Sequence, residues 1–205
     1  MAPRLVDSAE SSVCTGGWGI YDWVVAASPL LEHLRQNALR TDGPFTLRSG
    51  EVSDWYVDAR QTTFSGEGAW LVGEAVLEVL APGVEAVGGL TMGADPIAMA
   101  TAMVAAREGR PLTAFSIRKE AKGHGVGGRL VGPVDPGTKV AILEDTTTTG
   151  SAAIEATQAA EEEGLQVIQA IVLMDRSGGV GRERFETRSI PYTAIATPAD
   201  LGVGP

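Results

Sequence analysis

The sequence predicts an α/β fold built on a parallel sheet with helices on both faces. Three observations carry this expectation. From Val84 onward, apolar runs of five to eight residues alternate with stretches of helical period. Such runs suit strands covered on both sides, and their alternation suits strand–helix–strand units. Glycine and proline are scattered through the connections instead of gathering in one linker, so the 205 residues read as one domain with a sizeable core.

The elements follow in order. Residues 1–28 show no clear period. Gly16, Gly17 and Gly19 break any helix there, while Trp18, Tyr21 and Trp23 are free to dock, so this stretch reads as an N-terminal extension to a domain spanning 29–205. Pro29 opens a short amphipathic helix with Leu30, Leu31, Leu34 and Leu39 on its apolar positions. Ser28 suits the N-cap, proline suits the first helical position, and Asp42-Gly43-Pro44 stops the helix. Extended runs at 45–48 and 55–58 lie beyond, with Ser49-Gly50 between them. A helix at about 68–80 ends at Pro82-Gly83. Next come a strand at 84–88, a helix at 96–108, and strands at 112–117 and 139–143. A helix at 151–163, a strand at 167–174 and an extended run at 190–196 complete the chain.

Composition excludes several function classes. Lys and Arg number 16 against 26 Asp and Glu, a formal net charge of −10. That field repels nucleic acid and anionic membrane surfaces, and neither is expected as a partner. No stretch approaches the roughly 18 apolar residues of a membrane span. The first twelve residues lack the basic and apolar regions of a secretory signal, so the expected location is the cytoplasm. The single cysteine, Cys14, allows no intrachain disulfide and no all-cysteine metal site, which fits a reducing compartment. His33, expected to be solvated, and His124 are too few for a zinc site.

The sharpest signal is Val140-Ala141-Ile142-Leu143-Glu144-Asp145-Thr146-Thr147-Thr148-Thr149-Gly150-Ser151. An apolar strand runs into two acids, then a loop of hydroxyl residues and glycine, then a helix. At such a turn the free N–H groups and the helix dipole favour an anion, phosphate above all, and threonine hydroxyls add donors. Two acids beside a phosphate site would repel a bare anion. They fit a ligand that also presents hydroxyls and a divalent metal, such as a phosphorylated ribose. An N-capped helix with solvated acids is the plainer alternative. No Gly-Lys-[Ser/Thr] follows the glycine, so this is not a Walker A loop.

A second signal is Ser116-Ile117-Arg118-Lys119-Glu120-Ala121-Lys122-Gly123-His124-Gly125-Val126-Gly127-Gly128-Arg129, a net +3 segment in an acidic chain. Its glycines predict a mobile loop able to close over an anion and exclude water. A solvated surface loop is the alternative. Gly123 to Gly128 also fits G-x-G-x-x-G, but Pro133 and Pro136 interrupt before any helix, so dinucleotide binding is not indicated. Three weaker pieces remain. Phe45-Thr46-Leu47-Arg48-Ser49-Gly50 puts a cation at a strand end. Gly88-Gly89-Leu90-Thr91-Met92-Gly93-Ala94-Asp95-Pro96 leads from a strand into a helix with Asp95 as the expected cap. Asp175-Arg176 ends another strand. No G-x-S-x-G elbow is present, which leaves hydrolase chemistry unsupported.

Leu143 to Ser151 resembles the phosphoribosyl pyrophosphate (PRPP) motif of type I phosphoribosyltransferases, and Arg118 to Gly125 resembles the mobile loop of the orotate phosphoribosyltransferases in particular. The likeness covers roughly residues 29–203. It implies the type I phosphoribosyltransferase fold, a central mostly parallel sheet with a small N-terminal hood. The implied reaction is PRPP plus orotate giving orotidine 5′-monophosphate and pyrophosphate, with Mg²⁺ as cofactor.

The implied roles follow the motifs. Lys122, Glu144 and Asp145 are catalytic, and Arg118, Lys119, Lys122 and His124 meet the pyrophosphate. Thr146, Thr147, Thr148, Thr149, Gly150, Ser151 and Ala152 hold the 5′-phosphate. Arg48, Thr148 and Arg176 are expected near orotate, whose carboxylate suits a guanidinium. No residue is assigned as a direct metal ligand; the ion travels on PRPP, with Asp145 as a water-bridged contact. The family implies a homodimer in which the loop serves the neighbouring site. Three positions depart from common members: Arg48 replaces Lys, Gly123 replaces an acid, and Met92-Gly93 replaces Tyr-Lys. A transferase for another nucleobase and a non-catalytic PRPP-binding regulator stand as alternatives.

Overall fold

The computed structural model describes residues 29–46, 50, 52–120 and 128–204. Helix α1 (Pro29–Asn37) buries Leu30, Leu31 and Leu34 on one face. It ends before Leu39, which instead opens strand β1 (Leu39–Arg40). Strand β1 pairs antiparallel with β4 (Tyr56–Val57), and β2 (Phe45–Thr46) pairs with β3 (Val52–Ser53). These two small ribbons form the N-terminal hood. Helix α2 (Arg60–Thr63) is too short to leave a period in the sequence. Ser65 then caps α3 (Gly66–Val79) by accepting the Gly68 N–H at 3.0 Å, so that helix starts earlier than its apolar pattern suggests.

The remaining elements are β5 (Ala86–Leu90), α4 (Ala94–Arg107), β6 (Thr113–Ile117), β7 (Leu130–Val131), β8 (Lys139–Thr147), α5 (Ser151–Glu162), β9 (Gln166–Asp175), α6 (Val180–Glu186) and β10 (Tyr192–Ala196). A 3₁₀ turn, Ala199–Leu201, follows. The six-stranded sheet runs β10-β9-β8-β5-β6-β7 and is parallel except for the β6–β7 edge. The short β7 and α6 were not legible from periodicity.

Side chains alternate across the strands. Ala141 and Leu143 of β8 and Ile171 and Leu173 of β9 face one core with α1, α3 and α4. Val140 and Ile142, with Ala170 and Val172, face the other, where Ala153, Ala156, Ala159 and Ala160 bring α5 close to the sheet. Both faces are thus covered, as parallel sheets require. β6 lies on one side of β5 and β8 on the other. The strand order therefore reverses between β5 and β8, and in open α/β sheets a crevice opens beyond the carboxyl ends of such strands.

Ile171 is 1% exposed in the middle of β9, away from that crevice. Ile171→Ala should lower unfolding stability by about 2–5 kcal/mol, read as a shifted urea midpoint at unchanged slope.

Candidate active site

The crevice is a cleft of about 660 Å³ lined by the β5–α4 turn, the end of β8 and the first turn of α5. Arg60 and Lys119 stand at its edge. The acids of the sharpest sequence motif lie inside strand β8, not beyond it. The ladder to β9 continues through Glu144, Thr146 and Thr147, the last paired with Asp175. The Arg176 N–H closes it on the Thr147 carbonyl at 2.8 Å.

Because neighbours on a strand point to opposite faces, Glu144 and Asp145 meet different surroundings. Glu144 shares the face of Ile142 and lies with α5, where the Ala153 backbone and Asp175 are its neighbours. Asp145 shares the face of Leu143 and lies against the β5–α4 turn. A Cβ on Gly93 would stand 2.6 Å from Asp145 Oδ1, so only glycine lets that turn approach the carboxylate. The same Oδ1 accepts the Thr146 N–H at 2.8 Å.

Burial raises both acids. Glu144 is pushed up to about 8, first by loss of water and then by the Asp145 charge. Asp145 is raised by burial too, while the Thr146 N–H and the Arg60 charge act against the rise. Glu144 Oε2 and Asp95 Oδ1 are buried without a hydrogen-bond partner among the described residues. Two such carboxylate oxygens at one crevice can accept from hydroxyls or ligate a hard divalent cation. Among the described residues no three His, Cys, Asp or Glu side chains converge on a metal position.

The hydroxyl turn follows directly. Gly150 has φ +73 and donates its N–H to Thr147 Oγ1 at 2.8 Å. Thr147 is buried and its hydroxyl closes the turn, whereas Thr148 and Thr149 are exposed above it. Thr149 donates to Ser151 Oγ at 3.0 Å, and Arg184 of α6 donates to the same oxygen at 3.0 Å. The turn opens the N-terminus of α5, and Ala152 lines the cleft.

Beyond the last β8–β9 pair, Thr148 and Arg176 come next on adjacent strands. Asp175 is 8% exposed and accepts the Tyr192 hydroxyl and the Ser177 N–H, each at 2.7 Å. Arg118 ties the base of the basic segment to Arg129: its N–H reaches the Arg129 carbonyl at 2.9 Å, and Arg129 Nε reaches the Arg118 carbonyl at 2.6 Å. Lys122, Gly123 and His124, like Arg48, lie outside the described residues.

Two local expectations change. Asp95 does not cap α4; the helix starts at Ala94, and Asp95 accepts the Thr91 hydroxyl at 2.7 Å. Pro96 sits at the third helical position, where its missing N–H has no intrahelical partner to lose. His33 is half-buried and lies within hydrogen-bond reach of Thr62 at 3.2 Å and Ser65 at 3.3 Å, so it joins α1 to α2 instead of facing solvent. Sequence reasoning missed Arg60, which lines the cleft, and two neighbours of expected site positions, Trp55 against Arg176 and Tyr192 bonded to Asp175. Arg60 pairs with Asp58 at 2.8 Å, a local acid–base pair like many others in the sequence.

Comparisons with known proteins agree with this geometry. No protein-family model matches the chain. It is 44% identical over 158 residues to the orotate phosphoribosyltransferase of Aquifex aeolicus, covering 77% of this chain and 86% of that one. It is 41% identical over 175 residues to the orotate phosphoribosyltransferase of Streptomyces coelicolor, covering 85% and 96%. The crystal structure of the Mycobacterium tuberculosis orotate phosphoribosyltransferase in complex with PRPP superposes with a TM-score of 0.72 at 32% identity, covering 85% and 98%.

The raised Glu144 carboxyl makes stability depend on pH. A group whose native pKa lies above its unfolded value stabilises the fold below the unfolded value, and loses that contribution as pH rises through the native one. The native value here is about 8 against an ordinary 4.5. Stability of the free protein should therefore fall between about pH 5 and pH 8. Glu144→Gln should flatten that fall and leave the variant the more stable of the two at pH 8, as read by urea unfolding across the range.

Proposed function

The chain belongs to the orotate phosphoribosyltransferase family, and we propose that it transfers the ribose 5-phosphate group of PRPP to orotate, releasing orotidine 5′-monophosphate and pyrophosphate. The observation that carries the reading is the pair Glu144–Asp145 beside a hydroxyl-lined turn that opens α5, all at the point where the strand order reverses. One half of that arrangement suits hydroxyls and positive charge, and the other suits a phosphate.

The roles follow from the chemistry. As the bond between C1 and the pyrophosphate oxygen breaks, C1 gains positive charge and the orotate ring nitrogen forms the new bond. Glu144 and Asp145 take the ribose hydroxyls and favour that charge. The turn from Thr146 to Ser151, with Ala152, takes the 5′-phosphate through N–H groups and hydroxyls. Arg118, Lys119, Lys122 and His124 take the pyrophosphate, with Lys122 assigned to stabilise the leaving group. Arg176 and Thr148 face orotate, and Arg48 lies near both substrates. Magnesium carried on the pyrophosphate would offset part of its charge.

Arg176 Nε is buried without an acceptor, which favours a base bearing a carboxylate over adenine, hypoxanthine or uracil. In this reading the enzyme is a cytoplasmic homodimer whose basic loop serves the neighbouring site, and residues 1–28 extend a single domain that spans 29–205. No helix among the described residues is long and apolar enough to cross a membrane.

The absorbance of orotate should fall only when both PRPP and Mg²⁺ are present, with no turnover of the other three bases. Turnover of another base in place of orotate would select the alternative transferase, and PRPP binding without turnover a regulator. Lys122→Ala should keep the fold and cut kcat by about 10²–10³-fold, the range for loss of one charge-stabilising donor. Mixing Lys122→Ala with Asp145→Asn protein should restore part of the activity, because hybrid dimers would then hold one site with an intact loop and intact acids. No restoration would put the loop and the acids of each site on one chain.

A further inference from the structure

Trp55 joins the hood to the substrate side of the sheet. It lies just before β4 and packs against the core that α1, α3 and α4 share with the sheet. The Arg176 guanidinium carbon stands 4.4 Å from the centroid of its ring. The ring is anchored from the other end of the chain: Trp55 Nε1 donates to the Gly204 carbonyl at 2.8 Å. That terminal segment is itself tied to α1, where Arg35 donates to the Asp200 carbonyl at 3.0 Å and to the Leu201 carbonyl at 3.4 Å. Ser53 Oγ also donates to the Trp55 carbonyl at 2.8 Å. Arg176 makes no ion pair with any acid among the described residues, and its Nε is buried without an acceptor.

We propose that Trp55 is a positioning residue for substrate recognition: its ring fixes the plane of the Arg176 guanidinium and leaves the N–H donors of that plane for a planar carboxylate. The inference rests on the reading that Arg176 meets the orotate carboxylate. A long cationic side chain without an acid partner has several rotamers, and each unproductive one lowers affinity. Stacking on an aromatic face selects one plane while using none of the N–H donors, which point outward in that plane. An acid partner would hold the arginine as well, but it would occupy the donors that the substrate needs. The Gly204 contact keeps the ring itself from turning.

The test is steady-state kinetics on the full chain with each substrate varied in turn. Trp55→Leu should raise the KM for orotate about 3- to 30-fold, the factor that corresponds to a cation–π contact. The KM for PRPP should stay within about twofold. Trp55→Phe, which keeps a ring but loses the Gly204 hydrogen bond, should recover part of the loss. In an Arg176→Ala background, Trp55→Leu should add nothing further to the orotate KM, because the two residues act as one unit. Additive effects of the two substitutions, equal rises in both KM values, or a Phe variant as impaired as the Leu variant would each overturn the inference. If Arg176→Ala alone leaves the orotate KM unchanged, the underlying assignment of Arg176 fails instead.

Discussion

Two half-buried carboxylates follow one another in a paired strand, one on each face, at the point where the sheet reverses its order. The rest of the site depends on that arrangement. Charge in such a place is costly unless something meets it. The structure meets it only in part: Asp145 has the Thr146 N–H and the distant Arg60, and Glu144 keeps one oxygen unpartnered. An acid pair that the protein leaves unsatisfied is a demand for a ligand that brings donors or cations.

The surroundings turn that demand into selectivity. Gly93 brings the β5–α4 turn against Asp145, and the small Ala153 allows α5 to start beside Glu144. The acids and the hydroxyl turn thus border one cleft while remaining on separate sides of the strand. On the next strand, Asp175 is buried but fully occupied by Tyr192 and Ser177, so it locks the end of β9 in place. Arg176, one residue later, has no acid partner among the described residues. The end of β9 thus sets a buried, hydrogen-bonded carboxylate beside a guanidinium that stacks on Trp55.

Much of this is legible in the sequence. The Glu144-Asp145 pair, the threonine turn, the basic segment and Asp175-Arg176 each carry local chemistry in residues adjacent in the chain, and they stood out in an acidic sequence for that reason. The larger strands and helices were legible from hydrophobic period. Strand β8 was read too short because its last residues are polar, and only the neighbouring β9 ladder keeps them extended. Helices α2 and α6 and strand β7 were invisible because so few residues hold no measurable period.

The sequence by itself determined the order of elements, the phosphate-seeking turn and the acids that precede it, because these depend on residue types within one or two turns of chain. The tertiary structure decided which face each acid occupies, that Arg60 reaches the cleft, and that Trp55, Arg176 and Gly204 meet. Those contacts join segments far apart in the chain. They exist only because the strand order brings the segments together, and strand order is set by packing across the whole sheet, not by any local pattern.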